Sequence, residues 1–388
     1  MTKKIEIQDL PLWKKLNFSD MPLAFHLDLT ERCNLNCKHC YINHPANDLR
    51  SKSLELSVVE INSIADQAAN MGTMWCLLSG GEPLLRSDFT DIYLSLKKRG
   101  FLINLFTNAT LINEHHIDLF KNFPPRDLEV TVYGITKETY ESVTRVSGSF
   151  NAFLRGLNLL LDNKIKVTLK AMVLRSNKQE LFEMKRFCEE RTSNQFRFDP
   201  MLHLRYDRDP LRNKEIIAER LDPQEIVALE MVDKKRFQDM LDSYDNLIFP
   251  EVVTYEDCLG IDNKSKSKEC QRFGKLFRCG IGRNEYAISF DGHLCLCSTL
   301  RSPGLTYNLR EGSLQDGLNF LRKKIFDMET ESIEILKTCK SCKIVNLCMW
   351  CPAMAYLETG NLEGEVPYFC QVAHARAAAL EKAEKERS

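Results

Sequence analysis

Apolar residues come in short runs that alternate with longer amphipathic stretches, and this rhythm holds over the first two thirds of the chain. Strand-like runs fall near 24–29, 74–79, 101–106, 128–132, 166–173 and 195–198. Between them, apolar positions recur at helical spacing near 55–71, 87–99, 112–122, 150–163 and 178–191. The first run, Leu23-Ala-Phe-His-Leu-Asp-Leu29, alternates as a strand does, and Met74-Trp-Cys-Leu-Leu78 reads as a second, buried strand. Ser57, three residues ahead of Glu60, predicts a helix cap. Strands regularly separated by helices predict parallel βαβ units. Six such units predict an α/β chain with a partial (β/α)6 TIM-like barrel. In barrels of this kind ligands gather at the C-terminal ends of the strands.

No internal repeat or low-complexity tract interrupts this pattern before the tail. Residues 203–222 are polar, punctuated by Pro210 and Pro223, and read as a loop. The run 262–269, rich in Lys and Ser, reads as a solvated linker. The expected organisation is an N-terminal extension over 1–23, a barrel core over 24–245, a bridging region over 246–269, a small cysteine-rich domain over 270–373 and a helical tail over 374–388.

The 388 residues, 44% apolar, can bury one large core or two moderate ones. A formal net charge of −1 gives no electrostatic case for a nucleic-acid or membrane partner. No stretch approaches the roughly 18–20 apolar residues of a membrane helix. The N-terminal run Met-Thr-Lys-Lys-Ile-Glu-Ile has no secretory pattern, so a cytoplasmic location is expected. Fifteen cysteines in such a chain point to metal rather than to disulfides.

Chemistry concentrates first in Cys33-Asn-Leu-Asn-Cys37-Lys-His-Cys40. One short loop brings three thiolates to one small target. Three-cysteine ligation leaves one iron of a cubane open to a small molecule, whereas four usually close it. A zinc knuckle with His39 or His44 as fourth ligand is the alternative. The second strand ends in Ser79-Gly80-Gly81-Glu82-Pro83, where two glycines let backbone approach a ligand closely.

A CxxxCxxC loop after the first strand, followed by GGEP after the second, resembles the radical S-adenosylmethionine (SAM) enzymes. The resemblance implies that Cys33, Cys37 and Cys40 hold a [4Fe-4S] cluster whose open iron binds SAM, and that Gly80, Gly81 and Glu82 contact SAM. His39 stands where an aromatic residue near the adenine is usual. Phe106-Thr107-Asn108 is similar to the family's TNG, with Ala109 in place of the glycine. Val130-Thr131-Val132-Tyr133-Gly134 is similar to its SLDG, which implies Thr131 near the SAM carboxylate. Arg145, ahead of Gly148-Ser-Phe150, matches an arginine able to pair with that carboxylate. Tyr133 replaces the aspartate of sulfatase maturases, which argues against that activity.

Ten of the fifteen cysteines lie from Cys258 onward. Taken alone, the pattern Cys339-x2-Cys342-x5-Cys348-x2-Cys351 would suit zinc. With Cys279, Gly292, Cys297 and Cys370 it resembles the SPASM domain of peptide and protein maturases, apart from a spacer of two residues between Cys348 and Cys351 where three is usual. The resemblance implies two auxiliary [4Fe-4S] clusters. One would take Cys279, Cys297, Cys351 and Cys270, with Cys295 an alternative ligand and Cys258 undecided. The other would take Cys339, Cys342, Cys348 and Cys370. Cys76 and Cys188 read as core thiols.

The two resemblances imply reductive cleavage of SAM to a 5′-deoxyadenosyl radical that modifies a peptide or protein side chain, by crosslinking or oxidation. They also imply a low-potential flavodoxin or ferredoxin as electron donor. An enzyme of small-molecule or metallocofactor synthesis and a zinc-stabilised binding protein are the alternatives. Asp199, after the sixth strand, is the candidate general base, with Tyr206 and Asp207 behind it; a surface turn acid is the plainer reading. With 32 residues ahead of Cys33, no fused leader-binding domain is expected at the front.

Overall fold

The structure, a computed structural model, describes residues 21–194, 196–245, 258 and 273–387. The chain divides into two compact units: residues 1–199 with 280–323, and residues 200–279 with 324–388. That division follows a different line from the sequence-based boundaries. The segment 280–323, expected within the cysteine-rich domain, belongs to the first unit, and 200–245, expected in the barrel core, belongs to the second.

The first unit is built on one nine-stranded sheet. Its strands are β1 (Ala24–Thr30), β2 (Trp75–Gly80), β3 (Leu102–Thr107), β4 (Asp127–Thr131), β5 (Thr168–Met172) and β6 (Arg197–Asp199), followed by β7 (Glu285–Ile288), β8 (His293–Cys295) and β9 (Tyr307–Asn308). The order is β9-β8-β7-β1-β2-β3-β4-β5-β6. Strands β1 to β6 pair in sequence and in parallel, as the βαβ rhythm predicts. Strand β7 adds in parallel to the free side of β1, and β8 and β9 continue antiparallel. These last three strands had no counterpart in the sequence reading, because runs of two to four residues carry almost no periodicity.

The intervening helices of this unit are α1 (Val58–Asn70), α2 (Phe89–Lys98), α3 (Glu114–Asn122), α4 (Lys137–Thr144), α5 (Ser149–Asp162) and α6 (Leu181–Arg191). Register separates the two faces of the sheet. Phe25, Leu27, Cys76, Leu78, Ile103, Leu105, Leu128, Val130, Leu169 and Ala171 share one face and are buried. The other face carries His26, Asp28, Ser79, Asn104, Glu129, Thr131, Lys170 and Asp199. One face is therefore hydrocarbon and the other is chemistry.

Helix α1 starts three residues later than the apolar pattern alone suggests, after a separate short helix over Leu49–Leu54. Its boundary is chemical: Ser57 Oγ accepts the Glu60 N–H, and the Glu60 carboxylate accepts the Ser57 N–H at 2.7 Å. Replacing Ser57 by alanine is expected to lower stability by about 1 kcal/mol, read as a lower urea midpoint at unchanged slope.

The second unit contains α7 (Pro210–Glu219), α8 (Pro223–Val232), α9 (Lys234–Asp245), α10 (Pro352–Thr359) and α11 (Pro367–Arg387). Helix α7 corrects the expectation of a loop over 203–222. Asp209 accepts the N–H groups of Leu211 and Arg212, and Pro210 occupies the first turn, where its missing N–H costs nothing. The proline that looked like a breaker is a start signal. Among the described residues no helix is long and apolar enough to cross a membrane.

Candidate active site

The C-terminal ends of β1 to β4 and the start of the loop after β1 form one hydrogen-bonded circuit. Arg32 anchors it. Its guanidinium grips the Glu55 carboxylate at 2.7 and 3.2 Å and donates to the Ala46 carbonyl at 2.8 Å, with both side chains almost fully buried. A bidentate arginine–carboxylate pair in a dry site is strong and directional. It fixes the beginning and the end of the cysteine loop together. Within the loop, the Asn36 and Lys38 N–H groups donate to the Thr144 and Val143 carbonyls, at 2.9 and 3.0 Å. These carbonyls end α4 and would otherwise lack partners.

The Gly80-Gly81-Glu82 turn closes against the same loop. Gly81 N–H donates to Thr30 O at 2.6 Å and Glu82 N–H to Arg32 O at 3.0 Å. A Cβ on Gly80 would lie 2.1 Å from Thr30 O, and one on Gly81 would lie 2.2 Å from Arg32 O. Gly80 also has φ +122°. The glycines are thus required by backbone packed on backbone, a reason independent of any ligand. Gly81→Ala is expected to destabilise the apoprotein by about 1–3 kcal/mol and to lower iron uptake, measured by urea unfolding and by iron content after anaerobic reconstitution.

Glu82 is completely buried. Its carboxylate accepts the Thr107 hydroxyl at 2.8 Å, the Asn108 N–H at 2.8 Å and the Leu84 N–H at 3.1 Å. Burial drives its pKa up and those three donors pull it back, leaving it near 7. Asn108 then reaches across to the cysteine loop, its amide donating to Asn34 Oδ1 at 3.0 Å and to Cys33 Sγ at 3.8 Å. Ala109, where the family has glycine, is held at φ +62°, the left-handed region that glycine favours.

The remaining site residues fall around this circuit. His39 is buried with its ring centroid 5.3 Å from that of Tyr133. Thr131 ends β4, half-buried on the polar face and paired with Lys170. Arg145 is exposed and adopts φ +58° immediately after α4, next to Thr144, which accepts Asn36. Asp199 ends β6 on the polar face, half-buried, and its own carbonyl accepts the Val173 N–H. Asp207, in the second unit, is engaged by Arg205 at 2.6 Å. Burial pushes the Cys33 thiol well above its ordinary pKa, and Cys37, Glu82 and Cys40 add to the effect. A cationic metal centre would invert that preference.

Sequence reasoning did not find the clamp on the outer side of β1. Arg301 pairs with Asp28 and, at 3.0 Å, with Glu31. Burial favours the protonated Asp28, but His26 and Arg301 outweigh it and hold the carboxyl well below the usual range. An arginine 270 residues away from Glu31 carries no local signal that could have revealed this pair.

In the second unit, Cys339, Cys342, Cys348 and Cys370 all line one cavity of about 420 Å³, together with Trp350 and Val366. That is far more space than one metal ion fills. Among the described residues no three His, Cys, Asp or Glu side chains are gathered to hold a single ion. Cys279 is exposed, Cys297 and Cys351 are half-buried, and Cys295 is buried. Cys270 lies outside the described residues. Cys76 and Cys188 are fully buried in β2 and α6, as core thiols are.

The model of the radical SAM superfamily matches residues 27–188, the segment that contains this circuit. The chain carries a radical SAM domain. Over 154 residues it is 32% identical to the Fe-coproporphyrin III synthase of Methanosarcina barkeri, an alignment covering 40% of this chain and 38% of that protein. It is 23% identical to the subtilosin biosynthesis protein AlbA of Bacillus subtilis, over 73% of this chain and 60% of AlbA. The AdoMet-dependent heme synthase of Methanosarcina barkeri is 24% identical over 90% of this chain and 97% of its own length. The chain therefore spans less than two thirds of the first two of these relatives and nearly all of the third. Streptococcus suis SuiB bound to its precursor peptide SuiA shares the fold, with a TM-score of 0.61 at 16% identity over 90% of this chain and 76% of SuiB. The radical SAM domain thus sits on the mixed α/β sheet expected of a partial barrel.

Proposed function

We propose that the protein is a radical SAM maturase that modifies a side chain of a peptide or protein substrate by crosslinking or oxidation. The cysteine loop carries this reading. Cys33, Cys37 and Cys40 lie on one backbone circuit locked by Arg32, the Gly81 turn and the end of α4. Three thiols on one rigid loop suit a [4Fe-4S] cluster with one iron left for SAM. Held there, the cluster and SAM would supply a 5′-deoxyadenosyl radical, with a flavodoxin or ferredoxin as the electron donor.

The chain's own residues then bind and orient. Thr131 and Arg145 are assigned to the SAM carboxylate, and the backbone of Gly80 and Gly81 to its amino group. Glu82 orders the ends of β2 and β3 and, beside an ammonium group, stays ionised despite burial. His39, packed on Tyr133, offers a flat wall for the adenine. Thr107 and Asn108 hold Glu82, and Asn108 ties it to Asn34 of the cysteine loop. The polar face of the sheet receives the substrate, with Asp199 as the candidate base. Cys339, Cys342, Cys348 and Cys370 are assigned to one auxiliary [4Fe-4S] cluster, supported by their shared cavity. Cys279, Cys297, Cys351 and Cys270 are assigned to the other. The protein works in the cytoplasm.

AlbA, aligned over 73% of this chain, and the shared fold of SuiB support a peptide substrate. The length match to heme synthase favours a second reading, an enzyme of metallocofactor or small-molecule biosynthesis. Anaerobic reconstitution with SAM and dithionite tests the class. Release of 5′-deoxyadenosine is expected, and a protein that binds only zinc and releases none overturns the proposal. Adding candidate precursor peptides or a coproporphyrin separates the substrates, because only the true one acquires a mass change coupled to 5′-deoxyadenosine.

A further inference from the structure

The ring of Tyr140 is completely buried and held on three sides. It stacks on Phe153 with centroids 5.0 Å apart, meets Tyr133 edge-on at 5.6 Å and packs against Phe150 at 5.5 Å. That packing decides where the hydroxyl points. Among the described residues the hydroxyl, itself buried, has no hydrogen-bond partner. Leaving a buried donor unpaired costs about 1–3 kcal/mol, and folded proteins keep few such groups without a reason.

Position supplies the reason. Tyr140 lies on α4 one turn before Val143 and Thr144, the two residues whose carbonyls take the Lys38 and Asn36 N–H groups of the cysteine loop. The ionisable groups that bear on its hydroxyl are Cys37, Glu82 and Cys33. Glu82 already holds three donors of its own. Cys33 and Cys37 belong to the loop that α4 holds through the Asn36 and Lys38 N–H groups, and sulfur can accept such a donor.

We propose that the Tyr140 hydroxyl donates a hydrogen bond to the sulfur shell of the cluster held by Cys33, Cys37 and Cys40, and so raises its reduction potential. The proposal rests on the radical SAM reading above. Reduction adds negative charge to the sulfurs, so a donor aimed at them stabilises the reduced form more than the oxidised one. Tyr140 is thereby a tuning residue, built into the same helix that fixes the loop. The assignment also accounts for a buried phenol that has no partner among the described residues.

Tyr140→Phe keeps the ring and deletes only the oxygen. In the apoprotein it is expected to leave the melting temperature unchanged or raise it, since an unpaired polar group has been removed. In the anaerobically reconstituted enzyme, the midpoint of the electron paramagnetic resonance signal that responds to SAM is expected to move to more negative potential. Of the deuterium couplings introduced into that signal by exchange into heavy water, one is expected to disappear, while those of the Leu35 N–H and the Asn108 amide at Cys33 Sγ remain. A melting temperature that falls in the apoprotein would show that the hydroxyl already has a partner, and would overturn the proposal. An unchanged midpoint in a loaded variant would do the same. If the unmutated protein takes up no SAM-responsive cluster, the radical SAM reading itself fails, and the two failures are told apart.

Discussion

Alanine at Cys33, Cys37 and Cys40 together is expected to abolish 5′-deoxyadenosine release while leaving the C-terminal iron in place. The expectation follows from how the loop is held. Its conformation is held by Arg32, Glu55, Ala46 and the α4 carbonyls. Cys33 Sγ accepts a single protein N–H, from Leu35 at 3.4 Å, besides the Asn108 amide. The triple variant therefore keeps its fold and loses the ligands. Loss of the cluster removes the whole chemical advantage, so the turnover number should fall to background rather than by a modest factor. Iron content should fall by about four atoms per chain, the content of one cubane. Two measurements decide it: chromatographic assay of 5′-deoxyadenosine and iron analysis of the same sample. Retained cleavage would place the reactive centre elsewhere. Loss of all iron would mean that the C-terminal cysteines do not hold clusters independently.

The barrel was legible because its parallel strands are short runs in which apolar and polar positions alternate, and amphipathic helices separate them. Helix α4 was not, although it holds the cysteine loop. Over Lys137–Thr144 only Tyr140, Val143 and Thr144 are buried, too few positions for a helical period to stand out. The roles of Arg32 and Arg301 were equally hidden. Each acts through a partner that only the fold brings near, Glu55 in one case and Asp28 with Glu31 in the other. The glycines of the GGE turn were read as leaving room for a ligand; Gly80 and Gly81 also make room for the backbone of Thr30 and Arg32, which the sequence did not reveal. Spacing of cysteines gave more than propensity did. Cys339, Cys342, Cys348 and Cys370, grouped by the resemblance to the SPASM pattern, line one cavity. The other group draws on Cys270, which lies outside the described residues.

That cavity depends on an ion pair that no motif suggests, and cutting it is expected to have the largest effect on stability. Glu230 on α8 and Arg376 on α11 are both buried and joined by two hydrogen bonds, at 2.6 and 2.8 Å. Arg376 also donates to the Leu347 carbonyl at 2.8 Å. Leu347 belongs to the single turn Val345–Leu347, which separates Cys342 from Cys348, and packs with Met240, Leu241, Ala373, Ala377 and Leu380 in one apolar cluster. The arginine thus ties α8, α11 and the cysteine-bearing turn into one unit. Glu230→Ala leaves a guanidinium in the interior with no carboxylate to offset it. Such a change costs about 3–5 kcal/mol, several times the loss expected from a surface pair. The measurable outcome is a urea midpoint shifted strongly downward, with iron lost faster to a chelator from the C-terminal site. Replacing both residues by methionine should recover most of that stability, since a well-packed apolar pair avoids burying any charge. If the single variant is as stable as the parent, the pair is solvated in solution. The turn between Cys342 and Cys348 must then be held by the apolar cluster alone.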